Sequence, residues 1–116
     1  MRRFVPTCDA MVRALLRDAD VRSEGQIDGA SRRYFGSTSV LVRHAQIETA
    51  ELAALVSDPH LRARTLRIAR GEAAVRAGAD LVGVRADLSV HRTNHGLLLL
   101  VEIEADLAHR PRSSFA

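Results

Sequence analysis

Residues 81–107 read LVGVRADLSVHRTNHGLLLLVEIEADL. Val82, Val84, Ala86, Leu88 and Val90 alternate with Gly83, Arg85, Asp87, Ser89 and His91, the period of two that marks a half-buried strand. Thr93-Asn94-His95-Gly96 supplies turn chemistry. The alternation then resumes, with Leu97, Leu99, Val101, Ile103 and Ala105 on one side and Leu98, Leu100, Glu102, Glu104 and Asp106 on the other. Pairing Val90 with Leu99 keeps both apolar sets on one face and sets Arg85 opposite Glu104. A one-residue slip would turn one strand's apolar set into water, so the parity is determined. The stretch is a β-hairpin.

Upstream, the apolar period lengthens. Asp58-Pro59 is a helix start, with Asp58 at the N-cap and Pro59 in the first helical position, and Gly78 is the stop of a helix over 59–77. Leu61, Thr65, Ile68, Ala69 and Val75 are expected on its buried side, with Arg64, Arg67 and Arg70 opposite. A first helix is expected from a cap at Thr7, with Asp9 in its opening turn and Met11, Val12, Leu15, Leu16 and Ala19 on its apolar stripe. Ser23-Glu24-Gly25 is expected to end it, with Gly25 as a left-handed cap. Residues 26–37 read as a loop, 38–47 as a strand, and 49–56 as a short helix.

These elements predict an α+β fold, a two-layer sandwich with helices packed on an antiparallel sheet that ends in the C-terminal hairpin. The 116 residues suffice for one domain over 1–108, followed by a flexible tail over 109–116. A chain of this length buries roughly two-thirds of its unfolded surface. Its core must be aliphatic, because Phe4, Tyr34, Phe35 and Phe115 are the only Phe, Tyr or Trp side chains. So few rings also leave little for stacking bases or sugars.

All 17 basic residues are Arg, and the formal net charge is +3. Arginine in place of lysine follows from GC-rich coding as readily as from function, and it raises the isoelectric point without implying nucleic acid. Cys8, the lone cysteine, excludes an internal disulfide and fits a reducing compartment. Met1-Arg2-Arg3-Phe4 has the charge of a secretory n-region, but Pro6, Asp9 and Arg13 leave no apolar stretch behind it. Residues 97–101 form the longest run of large apolar side chains, far short of the ~20 needed to span a bilayer. A cytoplasmic protein without membrane contact is the expectation.

Four groups of residues stand out. On the hairpin's outer face, Leu98 and Leu100 lie beside Ser89 and His91, with Glu102 and Glu104 beyond. An apolar patch bordered by acids reads as a protein contact, either with a second copy or with another protein, its acids suited to arginines on a neighbour; the alternatives are cover by the first helix or simple exposure. Arg64, Arg67 and Arg70, joined by Arg32 and Arg33, form a candidate phosphate or nucleic-acid surface, against which stands an ordinary solvated helix face. His91 and His95 fall at a strand end and in a turn, without the cysteine or glutamate spacing of a zinc site. Cys8 in a first helical turn has a thiolate-favouring position but no assembled partner. No cofactor, metal or catalytic residue is expected. The leading reading is a non-catalytic interaction module that self-associates through the hairpin's outer face. A nucleic-acid binder is the alternative, and a small enzyme of unknown reaction the second.

Overall fold

Strand order follows from which segment carries the longest unbroken apolar alternation. The computed structural model describes residues 9–43 and 56–108. Its elements are α1 (Asp9–Arg17), β1 (Asp20–Asp28), β2 (Arg33–Arg43), α2 (Pro59–Ala77), β3 (Leu81–Arg92) and β4 (Gly96–Leu107). The strands form one antiparallel sheet in the order β1-β2-β4-β3. β4 sits between two partners, and its Leu97, Leu99, Val101, Ile103 and Ala105 are all buried. Both helices pack on that side, giving the two-layer α+β fold that the sequence predicts.

The hairpin register is the expected one, with Val90 opposite Leu99 and Arg85 opposite Glu104. Thr93 closes the turn: its N–H donates to the Gly96 carbonyl at 2.8 Å, and its hydroxyl accepts from the Gly96 N–H at 3.1 Å. One departure lies near the start of β3. The register shifts between Val82 and Arg85, so Gly83 and Val84 together oppose Ala105. Gly83 has φ 60, the left-handed position that such a bulge requires. The bulge turns Val82 outward, 49% exposed, and brings Leu81 onto the core, which corrects the simple alternation expected there, while Val84 keeps its expected inner place.

The N-terminal region differs most from expectation. α1 stops at Arg17, and residues 20–28 are strand β1, where a helix end and a loop are predicted. β2 likewise begins at Arg33, inside the predicted loop. Gly25 is not a helix cap but lies opposite Gly36 in the β1–β2 ladder. A glycine pair should weaken a sheet. Here Tyr34, 2% exposed, lays its ring across both, so that a Cβ at Gly25 or Gly36 would come within 2.0 or 2.4 Å of the Tyr34 hydroxyl. The ring restores the contact area that two missing side chains forgo. Burial raises the Tyr34 pKa above its ordinary value, against a smaller lowering by Arg76.

α2 has the expected ends. Asp58 Oδ1 accepts from the His60 N–H at 2.7 Å, and Gly78, with φ 66, closes the C-terminus by donating to Ala74 and Val75 carbonyls. Leu61, Thr65, Ala69 and Ala73 form its buried stripe. Thr65 satisfies its buried hydroxyl by donating to the Leu61 carbonyl at 2.7 Å. Val75 is 78% exposed and not on the apolar side as predicted. It follows Ala73 by 200° of helical rotation, which carries it off the stripe.

The core has two parts. Val12 and Leu16 of α1 meet Val40, Val42, Leu61, Leu97 and Leu99 at one end of the sheet. At the other end, Ala69 and Ala73 let α2 approach closely over Tyr34, Val101 and Ile103. Residues 44–47 of the predicted strand, the predicted short helix over 49–56 except at Val56, Cys8 and the tail 109–116 lie outside the described residues.

Two substitutions check these assignments by urea denaturation. Asp58→Ala should lower the unfolding free energy by about 1 kcal/mol through loss of the cap. Gly36→Val should cost more, on the order of 1–3 kcal/mol, because its side chain must displace the Tyr34 ring.

Candidate functional site

The sheet face opposite the helices carries no described element, and its composition follows from register. Reading across β1, β2, β4 and β3, one row holds Asp20, Leu41, Leu98 and His91, and the next holds Arg22, Ser39, Leu100 and Ser89. Then come Glu24, Ser37, Glu102 and Asp87, followed by Gln26, Phe35, Glu104 and Arg85. Arg33 and Asp106 stand beyond. One end of this face is leucine-rich, and the other is charged. All six residues expected at the protein contact, Leu98, Leu100, His91, Ser89, Glu102 and Glu104, therefore fall on one continuous surface. α1 does not cover them, since its Val12 and Leu16 pack on the inner face.

The leucine end is built from neighbours on two strands. Leu41 lies directly opposite Leu98, with Leu100 one row on, and all three are half-buried by the sheet itself. On β3, His91 Nε2 lies 2.9 Å from Ser89 Oγ. That is a hydroxyl–imidazole contact, but no described carboxylate pairs with the ring to orient it. Arg43 pairs with Asp20 at the margin.

The charged end encloses a groove of about 480 Å³, walled by Phe35, Ser37, Arg85, Asp87, Glu102 and Glu104. Glu104 stands between two cations, accepting from Arg33 Nη2 at 3.3 Å and lying 3.8 Å from Arg85. The Arg33 Nε lies 3.3 Å from Asp106, a charge contact without an aligned hydrogen bond. Its guanidinium also stands 5.5 Å from the centre of the Phe35 ring. Ion pairs so open to solvent on at least one side contribute roughly 0.2–1 kcal/mol each. Asp87 and Glu102 face each other directly with no ion-pair partner among the described residues. Like charges so placed repel.

The arginines expected to form one anion surface are not gathered. Arg64 is clamped on Asp9 of α1, donating from Nε at 3.0 Å and from Nη2 at 2.8 Å. Arg33 belongs to the outer sheet face, on the far side of the sheet from α2. Arg32, in a left-handed conformation with φ 56, donates to the Ala108 carbonyl at 3.3 Å. Arg67 and Arg70 remain exposed on α2 without ion pairs among the described residues. No group of three or more potential metal ligands occurs among the described residues, and His95 lies in the hairpin turn. No described helix is long and apolar enough to cross a membrane.

Arg33, Phe35 and Leu41 were the site residues least visible in the sequence, because the first two read as loop. Their signal was parity. Tyr34, Thr38, Val40 and Val42 form an alternating inner set, so Arg33, Phe35, Ser37, Ser39 and Leu41 must form the outer one.

Comparison with known proteins found no family model that matches the chain, and no curated protein or solved structure similar to it.

Two measurements probe these charges. Asp87→Asn should raise stability by a few tenths of a kcal/mol at low salt, and by less at high salt as screening removes the repulsion. Arg64 acts chiefly through its hydrogen bond to hold Asp9 below the ordinary aspartate pKa. That contribution to folding is complete above the unfolded-state pKa and is lost as pH falls through the depressed folded one. Unfolding followed from pH 6 to pH 2 should show a shallower acid loss in Arg64→Met than in the unaltered chain.

Proposed function

We propose that the protein is an assembly module whose outer sheet face binds the same face of a second copy. The observation that carries this reading is the contiguous Leu41–Leu98–Leu100 patch on a face that no described element covers. Four strands spaced ~4.8 Å apart, each about 11 residues long at ~3.4 Å per residue, offer roughly 700 Å² in projection. Overlap centred on the leucines engages about 7 residues of each strand, roughly 450 Å² of that face. The contact therefore falls below the ~800 Å² per partner of a standard interface and in the range of weak, reversible association.

Charge selects the arrangement. A two-fold axis parallel to the strands would lay the acids of one copy over those of the other. An axis in the interface plane and across the strands superposes the leucines and sends the acidic ends in opposite directions. Glu102 of one copy then lies over the turn end of the other, where Arg43 stands. Leucine burial supplies the affinity, and the acids exclude the wrong orientation. His91 and Ser89 form the polar border of the patch.

Sedimentation of the full chain tests this. The unaltered protein should be heavier than a monomer, and Leu98→Ser/Leu100→Ser should lower that mass with no change in far-ultraviolet circular dichroism. A monomer at several hundred micromolar, or a double variant of unchanged mass, overturns the reading.

A further inference from the structure

The two edges of the sheet are not equivalent. Natural sheets blunt their edges with bulges, prolines, lysines or inward-pointing charges, because an open edge pairs with another chain. β3 has such a device, the bulge at Gly83. β1 has none. It is free of proline and bulge, and its inner side presents Val21, Ser23, Gly25 and Ile27. Val21 and Ile27 are 38% and 42% exposed, and no described element pairs with the strand's free edge.

We propose that β1 pairs antiparallel with β1 of a second copy about a two-fold axis at Ser23, joining two sheets into one of eight strands. Two independent features converge on that axis. The first is charge. With Ser23 opposite its own mate, Arg22 faces Glu24 of the second copy, and Glu24 faces Arg22 in return. Neither residue has an ion-pair partner among the described residues, and both are exposed. An axis at Glu24 would instead set Glu24 against itself and Asp20 against Asp28.

The second feature lies on the helix side. Ser23 Oγ donates to Glu72 at 2.9 Å and accepts from Arg76 Nε at 3.1 Å, so this turn of α2 stands level with Ser23. Val75 follows Glu72 by three residues, which sets it on the same side of α2 as the carboxylate that reaches Ser23, and it is 78% exposed. A two-fold at Ser23 brings Val75 beside its own mate and gives that exposed side chain an apolar contact. An axis at Gly25 would pair Arg22 with Asp28 but would stand ~7 Å from this level, two residues along the strand. The ladder supplies backbone hydrogen bonds, the Arg22–Glu24 pairs fix register, and Val75 adds burial.

This inference does not rest on the outer face, and the experiment separates the two. Sedimentation equilibrium is run on Arg22→Glu, Glu24→Arg, the double reversal Arg22→Glu/Glu24→Arg, and Val75→Asp. Each is made in the unaltered chain and in Leu98→Ser/Leu100→Ser. Each single reversal turns two attractive contacts into two repulsive ones and should raise the dimer Kd about tenfold or more, whereas the double reversal should restore it to within about threefold. Val75→Asp should also weaken the dimer. Single reversals that leave association unchanged overturn the edge pairing. A double reversal that stays dissociated overturns the register, and with it the proposal. Edge association that persists in Leu98→Ser/Leu100→Ser at unchanged mass overturns only the outer-face reading.

Discussion

β4 is paired along nearly its whole length on both sides, and the two faces of the molecule depend on it. Gly96 to Asp106 oppose β2, and Leu97 to Leu107 oppose β3. Its odd-numbered residues are all apolar, so burying them fixes the face on which both helices must lie. The same parity forces Leu98, Leu100, Glu102 and Glu104 to the other face. Core and candidate contact surface are therefore two readings of one strand. Neither can be changed by a register slip without losing the other.

The inner layer gets its shape from side-chain size along α2. Leu61 fills the space at the end where α1 also packs, whereas Ala69 and Ala73 leave room at the other end for a tyrosine lying flat. Tyr34 needs that room because its ring spans the Gly25–Gly36 pair. Small residues on a helix, glycines on two strands and one aromatic ring thus make up a single packing unit. It binds the edge strand β1 to a core to which β1 itself contributes little.

The hairpin was legible because local period and tertiary burial agree there. Its register could be derived residue by residue, including the Arg85–Glu104 pair. α2 was legible at its ends for the same reason, since Asp58, Pro59 and Gly78 act locally. Val75 misled because valine suits an apolar stripe, while helical rotation places it on the open flank. Val82 misled because one glycine bulge reverses the parity before it. β1 was not legible. The run DVRSEGQID has weak strand propensity and no apolar alternation, and it becomes a strand by pairing with β2 and lying under the Tyr34 ring.

The sequence by itself determined the hairpin, the limits of α2 and the outward direction of Leu98, Leu100 and the acids, because each follows from interactions within a few residues or across one turn. Only the tertiary structure decided that β1 is a strand, that Arg33 and Phe35 belong to the outer face, and that Arg64 faces Asp9 and not solvent. The physical reason is distance along the chain. Arg64 and Asp9 stand 55 residues apart, and Arg33 and Glu104 stand 71 apart. Contacts that close such loops depend on the packing of the whole fold, and no local pattern announces them.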